Sequence, residues 1–94
     1  MTVNVKFIGS FRGLSGRKKL ALNVRSAISL SEAIEKIVQE LPKLEQMLID
    51  AESGSLKTSI LVLVNGKEIG VLSGFETPIG DGDEVVFVPV VHGG

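Results

Sequence analysis

The chain closes on two glycines, Gly93 and Gly94, directly behind its only histidine, His92. At an average glycine usage of about 7%, a chain ends this way roughly once in 200. Glycine has no Cβ to clash and tolerates most backbone angles, so such a tail lets a terminal carboxylate enter a narrow site on another protein. A carboxylate is a poor electrophile until it becomes a mixed anhydride. The chemistry expected is therefore activation of Gly94 by a partner enzyme using ATP, followed by transfer of the acyl group to sulfur or to an amine.

Other chemistries fit the residues less well. Gly9, Gly13 and Gly16 follow a strand pattern, but no helix opens after them, and Gly66-Lys67 continues into Glu68 instead of Ser or Thr, so neither makes a nucleotide loop. Asp81-Gly82-Asp83-Glu84 offers three carboxylates without the later bidentate Glu of a calcium loop, and reads as a turn before a strand. With no Cys and one His, thiol nucleophiles, disulfides, thiolate zinc sites, iron–sulfur clusters and histidine-rich metal centres are excluded. His92, third from the end, is poorly placed to be held by an orienting carboxylate as a base. The expectation is a chain that is an enzyme's substrate, with no catalytic site, metal or cofactor of its own.

Ninety-four residues, 44% of them hydrophobic, support one small domain. No apolar run approaches the ~20 residues of a membrane span, and the amino terminus lacks the charged and apolar regions of a signal peptide. A soluble cytoplasmic protein without a membrane partner is expected. Charge is uneven: residues 1–31 carry +6, from Lys6, Arg12, Arg17, Lys18, Lys19 and Arg25, and residues 32–94 carry −7. The basic run surrounds a turn with only Phe7 and Phe11 as stacking groups, which favours a solvated strand edge over a nucleic-acid face.

The elements that must carry the tail follow from periodicity. Val3, Val5 and Phe7, then Leu20, Leu22 and Val24, alternate with polar residues, predicting two strands joined by the glycine-rich segment 9–16. Ser29 and Glu32 have capping-box spacing, and Leu30, Ala33, Ile34, Ile37, Val38 and Leu41 form one apolar helical stripe ending at Pro42. Leu44, Met47 and Leu48 predict a second short helix. Ile60 to Val64 is apolar throughout, Asn65-Gly66 is a hairpin turn, and Glu68 to Leu72 predicts a return strand. Glu84 to Val91 is the last predicted strand, also apolar on both parities. The order β-β-α-(α)-β-β-β gives an α+β fold, a mixed four- to five-stranded sheet with one main helix and a second short helix.

The run from Asp81-Gly82-Asp83-Glu84 through Val85-Val86-Phe87-Val88-Pro89-Val90-Val91 to His92-Gly93-Gly94 resembles the closing signature of the MoaD/ThiS-type sulfur carriers and small archaeal ubiquitin-like modifiers. The resemblance implies a ubiquitin-like β-grasp domain over residues 1–94, with a tail from about residue 90. It further implies that Gly94 is adenylated by an activating enzyme resembling MoeB, ThiF or the ubiquitin-activating enzymes, with ATP and Mg²⁺ held by that partner. The adenylate is then converted to a thiocarboxylate for a sulfur-accepting enzyme or conjugated to lysines of target proteins. Gly93 would form the slim neck, and His92 a tail contact to the activating enzyme. Val90-Val91-His92 stand where the molybdopterin carriers often have a second proline and a small residue. A His before Gly-Gly is similar to the ubiquitin-related modifier of eukaryotic tRNA thiolation.

The doubly apolar strands then gain a use as a docking face beside the tail. If Val85 and Phe87 face the helix, Val86 and Val88 face outward. The same outer face would hold either Leu61 and Leu63 or Ile60, Val62 and Val64, and Phe75 in a polar loop is a further candidate for the patch. The alternatives are a dedicated molybdopterin synthase small subunit, a noncatalytic β-grasp interaction domain and, third, a basic nucleic-acid module.

Overall fold

A computed structural model describes residues 1–11, 19–57 and 59–90. The chain's first strand, β1 (Thr2–Phe7), pairs antiparallel with β2 (Lys19–Asn23), from Thr2 opposite Asn23 to Lys6 opposite Lys19. After a two-residue β3 (Ile28–Ser29), helix α1 runs from Leu30 to Glu40. A 3-10 turn over Pro42–Leu44 and the short α2 (Glu45–Leu48) follow. β4 (Ile60–Val64) turns into β5 (Lys67–Glu68), β6 (Pro78–Ile79) pairs with β3, and β7 (Glu84–Pro89) completes the described strands. The main sheet has the order β2-β1-β7-β4-β5, so β7 lies in its centre, parallel to β1 and antiparallel to β4.

Ser29 caps α1 as its spacing predicts, its Oγ accepting the Glu32 amide at 3.1 Å. The Leu41 amide closes the helix on the Ile37 carbonyl, and Pro42 sets a 3-10 turn where the helix would otherwise continue. Leu30, Ile34 and Ile37 are buried against Val3, Val5, Phe7, Leu20, Leu22, Val62, Val64, Val85 and Phe87, and Leu44 and Leu48 close the same core. Phe7 and Phe87, paired in register across β1 and β7, stack with ring centroids 6.2 Å apart.

Three elements differ from the sequence expectation. The return strand predicted over Glu68–Leu72 stops at Glu68, because that side chain accepts the Gly70 amide at 2.7 Å and turns the backbone into a 3-10 helix, Ile69–Val71. The last strand ends at Pro89 instead of Val91. Phe11, read as part of an open loop, is buried in the core. The short β3–β6 pair carried no signal, being two residues on each side.

Candidate functional site

The start of β7 is fixed by its turn. Asn65 (φ 50°) and Gly66 (φ 82°) form the hairpin between β4 and β5, with both central residues in the left-handed region that Asn-Gly accommodates. Asn65 also reaches sideways. Its Oδ1 accepts the Glu84 amide at 2.9 Å, its Nδ2 donates to Asp83 Oδ1 at 3.0 Å, and its own amide donates to the Glu84 carbonyl. Asp83 Oδ2 accepts from the Gly80 amide, and Asp81 Oδ1 from the Thr2 amide, both at 2.7 Å. The three carboxylates of Asp81–Glu84 therefore serve the turn: two hold backbone amides, and Glu84 pairs with Lys6 Nζ at 2.8 Å.

The sheet face away from α1 is apolar at its centre. Val62 and Val64 are buried in the core, which resolves the parity of β4: Leu61 and Leu63 point outward. Leu61 stands opposite Val88 and Leu63 opposite Val86 across the β4–β7 ladder. Ile8, following Lys6 and Asn4 on the same parity, adds a side chain 45% exposed, and Val90 another at 40%. Val86 is only 8% exposed, flanked in register by Leu63 and Lys6, so it forms the floor of this patch while Leu61, Leu63 and Val88 form its half-buried surface. The Lys6–Glu84 pair borders the patch where β1 meets β7.

Phe75 lies elsewhere. It sits on a 3-10 turn, Gly74–Glu76, on the helix side of the molecule, where it lines a cavity of about 170 Å³ with Ser31, Ile34, Glu35, Ile49 and Leu56. It is not part of the outer sheet face. Ile8 and Val90 were legible as members of that face, the first by parity with Lys6 and the second by parity with Val88. The predicted site residues His92, Gly93 and Gly94 lie outside the described residues, as does Val91. So do Arg12, Arg17 and Lys18 of the basic run. β7 brings the chain to Val90 at the edge of the apolar patch, four residues before Gly94.

A model of the ThiS family matches residues 5–94. The chain belongs to the ThiS family. Small archaeal modifier protein 3 of Haloferax volcanii is 32% identical over 94 residues, all of both chains. Ubiquitin-related modifier 1 of Schizosaccharomyces pombe is 31% identical over 97 residues, again covering both chains fully. A putative sulfur carrier protein of Archaeoglobus fulgidus is 34% identical over 77 residues, 82% of this chain and 77% of that one. Among solved structures, small archaeal modifier protein 1 of Methanosarcina acetivorans has a TM-score of 0.86 at 28% identity, covering 99% of this chain and 96% of that one. CysO of Amycolatopsis orientalis, solved as a complex with BexX, has a TM-score of 0.75 at 26% identity over 98% and 99% of the two chains. This ThiS-family chain thus has the ubiquitin-like β-grasp fold, and its relatives are ubiquitin-like modifiers and sulfur carriers. Among the described residues no helix is long and apolar enough to cross a membrane.

Proposed function

We propose that this ThiS-family protein is a carrier whose Gly94 carboxylate is activated and passed on by partners. In the first step a carboxylate oxygen of Gly94 attacks the α-phosphorus of ATP on an activating enzyme of the MoeB, ThiF or ubiquitin-activating type, releasing pyrophosphate. ATP and Mg²⁺ belong to that enzyme. In the second step a sulfur or amine nucleophile attacks the acyl carbon and AMP leaves. The product is a thiocarboxylate for a sulfur-accepting enzyme, or an amide to a lysine of a target protein, in the cytoplasm. The observation that carries the reading is a family match running through Gly93-Gly94, on a chain whose last described strand ends beside an apolar face. That face, Leu61, Leu63 and Val88 over Val86, with Ile8 beside it, is the docking surface for the activating enzyme.

The test is incubation with the activating enzyme of the source organism and ATP. Pyrophosphate release is expected, and a sulfur donor should raise the intact mass by the replacement of one terminal oxygen with sulfur. Removing Gly94 should abolish both; activation that survives this truncation refutes the reading. Branched peptides in cellular digests carrying the chain's C-terminal residues on a lysine would assign conjugation as an outcome.

A further inference from the structure

β7 is held from both sides up to the point where it leaves the sheet. On the β1 side, Ile8 donates its amide to the Phe87 carbonyl at 3.2 Å, and the chain then turns away at Gly9 with φ +65°. Gly9 packs bare backbone against Pro89: a Cβ placed on Gly9 would lie 3.0 Å from Pro89 Cγ and 3.5 Å from Cδ. On the β4 side, Ile60 pairs with Pro89, and Val90 donates its amide to the Ser59 carbonyl at 2.8 Å. Strand amides alternate in direction, so with Val90 directed at β4, position 89 faces β1. Proline has no amide to offer there. The β1 ladder must stop at Ile8, while the β4 ladder runs one residue further.

Three restraints thus converge on residues 89 and 90: a proline ring with fixed φ, a glycine that only a left-handed backbone and a missing Cβ allow to approach it, and one terminal hydrogen bond. We propose that Gly9, Pro89 and the Ser59 carbonyl form a clamp that fixes where and in what direction the chain leaves the sheet at Val90, and so how it is presented to the activating enzyme, with Gly9 a positioning residue acting through Pro89. The proposal rests on the reading of Gly94 as the activated terminus. Four residues reach at most about 14 Å from their anchor, so a turn of about 20° at that anchor shifts the volume the terminus can sample by up to roughly 5 Å. Attack on ATP requires reacting atoms about 3–3.5 Å apart, so the direction of the anchor decides how often the carboxylate is in range.

The test uses Gly9→Asn, Pro89→Ala and the double variant of the full chain. Asn tolerates the left-handed φ, so Gly9→Asn isolates the clash with Pro89, and Pro89→Ala removes the ring that would be struck. The first readout needs no enzyme: amide hydrogen exchange at Val90 and Ile8, followed by NMR. The second is pyrophosphate release at saturating ATP, with kcat separated from the KM for the carrier. Gly9→Asn is expected to speed Val90 exchange at least tenfold and lower kcat at least tenfold, with KM changed less than threefold because the docking face is intact. Adding Pro89→Ala should cost nothing beyond Pro89→Ala alone, because the ring that the side chain introduced by Gly9→Asn would strike is already gone. Unchanged exchange and kcat, or Gly9 and Pro89 effects that simply add, would overturn the clamp. If Gly9→Asn does not fold, Pro89→Ala alone must release the clamp from the other side, with faster Val90 exchange and lower kcat, or the proposal fails. If the unaltered protein releases no pyrophosphate, the functional reading falls, while the exchange and coupling measurements still judge the clamp.

Discussion

Asn65 joins the β4–β5 turn to the start of β7, and its removal can be dissected by choice of replacement. Gly at position 65 keeps the φ of 50° without cost but loses the side-chain bonds to the Glu84 amide and the Asp83 carboxylate. Each exposed hydrogen bond contributes about 0.5–1 kcal/mol net, so Asn65→Gly should destabilise by about 1–2 kcal/mol. Ala loses the same bonds and also enters the left-handed region, which adds about 1–2 kcal/mol. For a domain of this size 1 kcal/mol corresponds to a Tm change of about 4–8 °C. Thermal unfolding followed by circular dichroism, with urea titrations to check that the slope is unchanged, should rank the proteins as unaltered, Asn65→Gly, then Asn65→Ala, with a clear step between each. Two results would refute the reasoning. A Gly variant as stable as the original means the bridge contributes nothing, and equal Gly and Ala variants mean that the turn relaxes away from left-handed geometry.

The remaining predictions concern the outer face, the core and one carboxylate. Leu63→Asp should leave Tm within a few degrees, because the side chain is only half-buried, and should raise the KM for activation at least tenfold; an unchanged KM would remove this face from docking. Ile37→Ala, at a fully buried position, should cost about 2–5 kcal/mol by chemical denaturation, and a cost below 1 kcal/mol would contradict the packing of α1 on the sheet. Asp50 accepts the Glu52 and Ser53 amides, which hold its carboxyl below the ordinary carboxylate value. A carboxyl lowered in the folded state contributes stability above its unfolded pKa and loses that contribution as pH falls through its folded one. Carbon-detected NMR titration should therefore show Asp50 protonating after an unstructured Asp does, and Asp50→Asn should flatten the acid limb of the stability profile; a normal titration midpoint would disprove the turn's charge assistance.

The elements that bury one face were legible because burial writes a period into the sequence. Val3, Val5 and Phe7 repeat every second residue, and the α1 stripe from Leu30 to Ile37 repeats with the helical turn, so both sit where the pattern puts them. β4 was harder, since Ile60 to Val64 is apolar on both parities and only the three-dimensional pairing reveals that Val62 and Val64 take the core. The same ambiguity leaves one apolar face of the sheet over, the face proposed above for docking. Phe11 was missed because a single aromatic between glycines has no period, and Phe75 because nothing local says on which side of the sheet a loop will lie. The return strand failed at Glu68, whose side chain competes with the ladder for the Gly70 amide, a contest that periodicity does not register. The Gly9–Pro89 contact joins positions eighty residues apart through glycine's missing atom, and left no trace in either local pattern.

The placement of β7 between β1 and β4 also governs when this protein can become itself. Of the described strands it is the last in chain order, yet it is the only one that touches both halves of the main sheet. Until it is synthesised, the β1–β2 pair and the β4–β5 hairpin share no ladder, and the Phe7–Phe87 stack has one ring. Closing a pairing between strands so far apart in sequence is slow, so the sheet closes only once β7 is available. A chain terminated before Glu84 lacks the central strand that joins the two halves of the sheet. The fold thereby ties its own completion to the strand that leads into the tail.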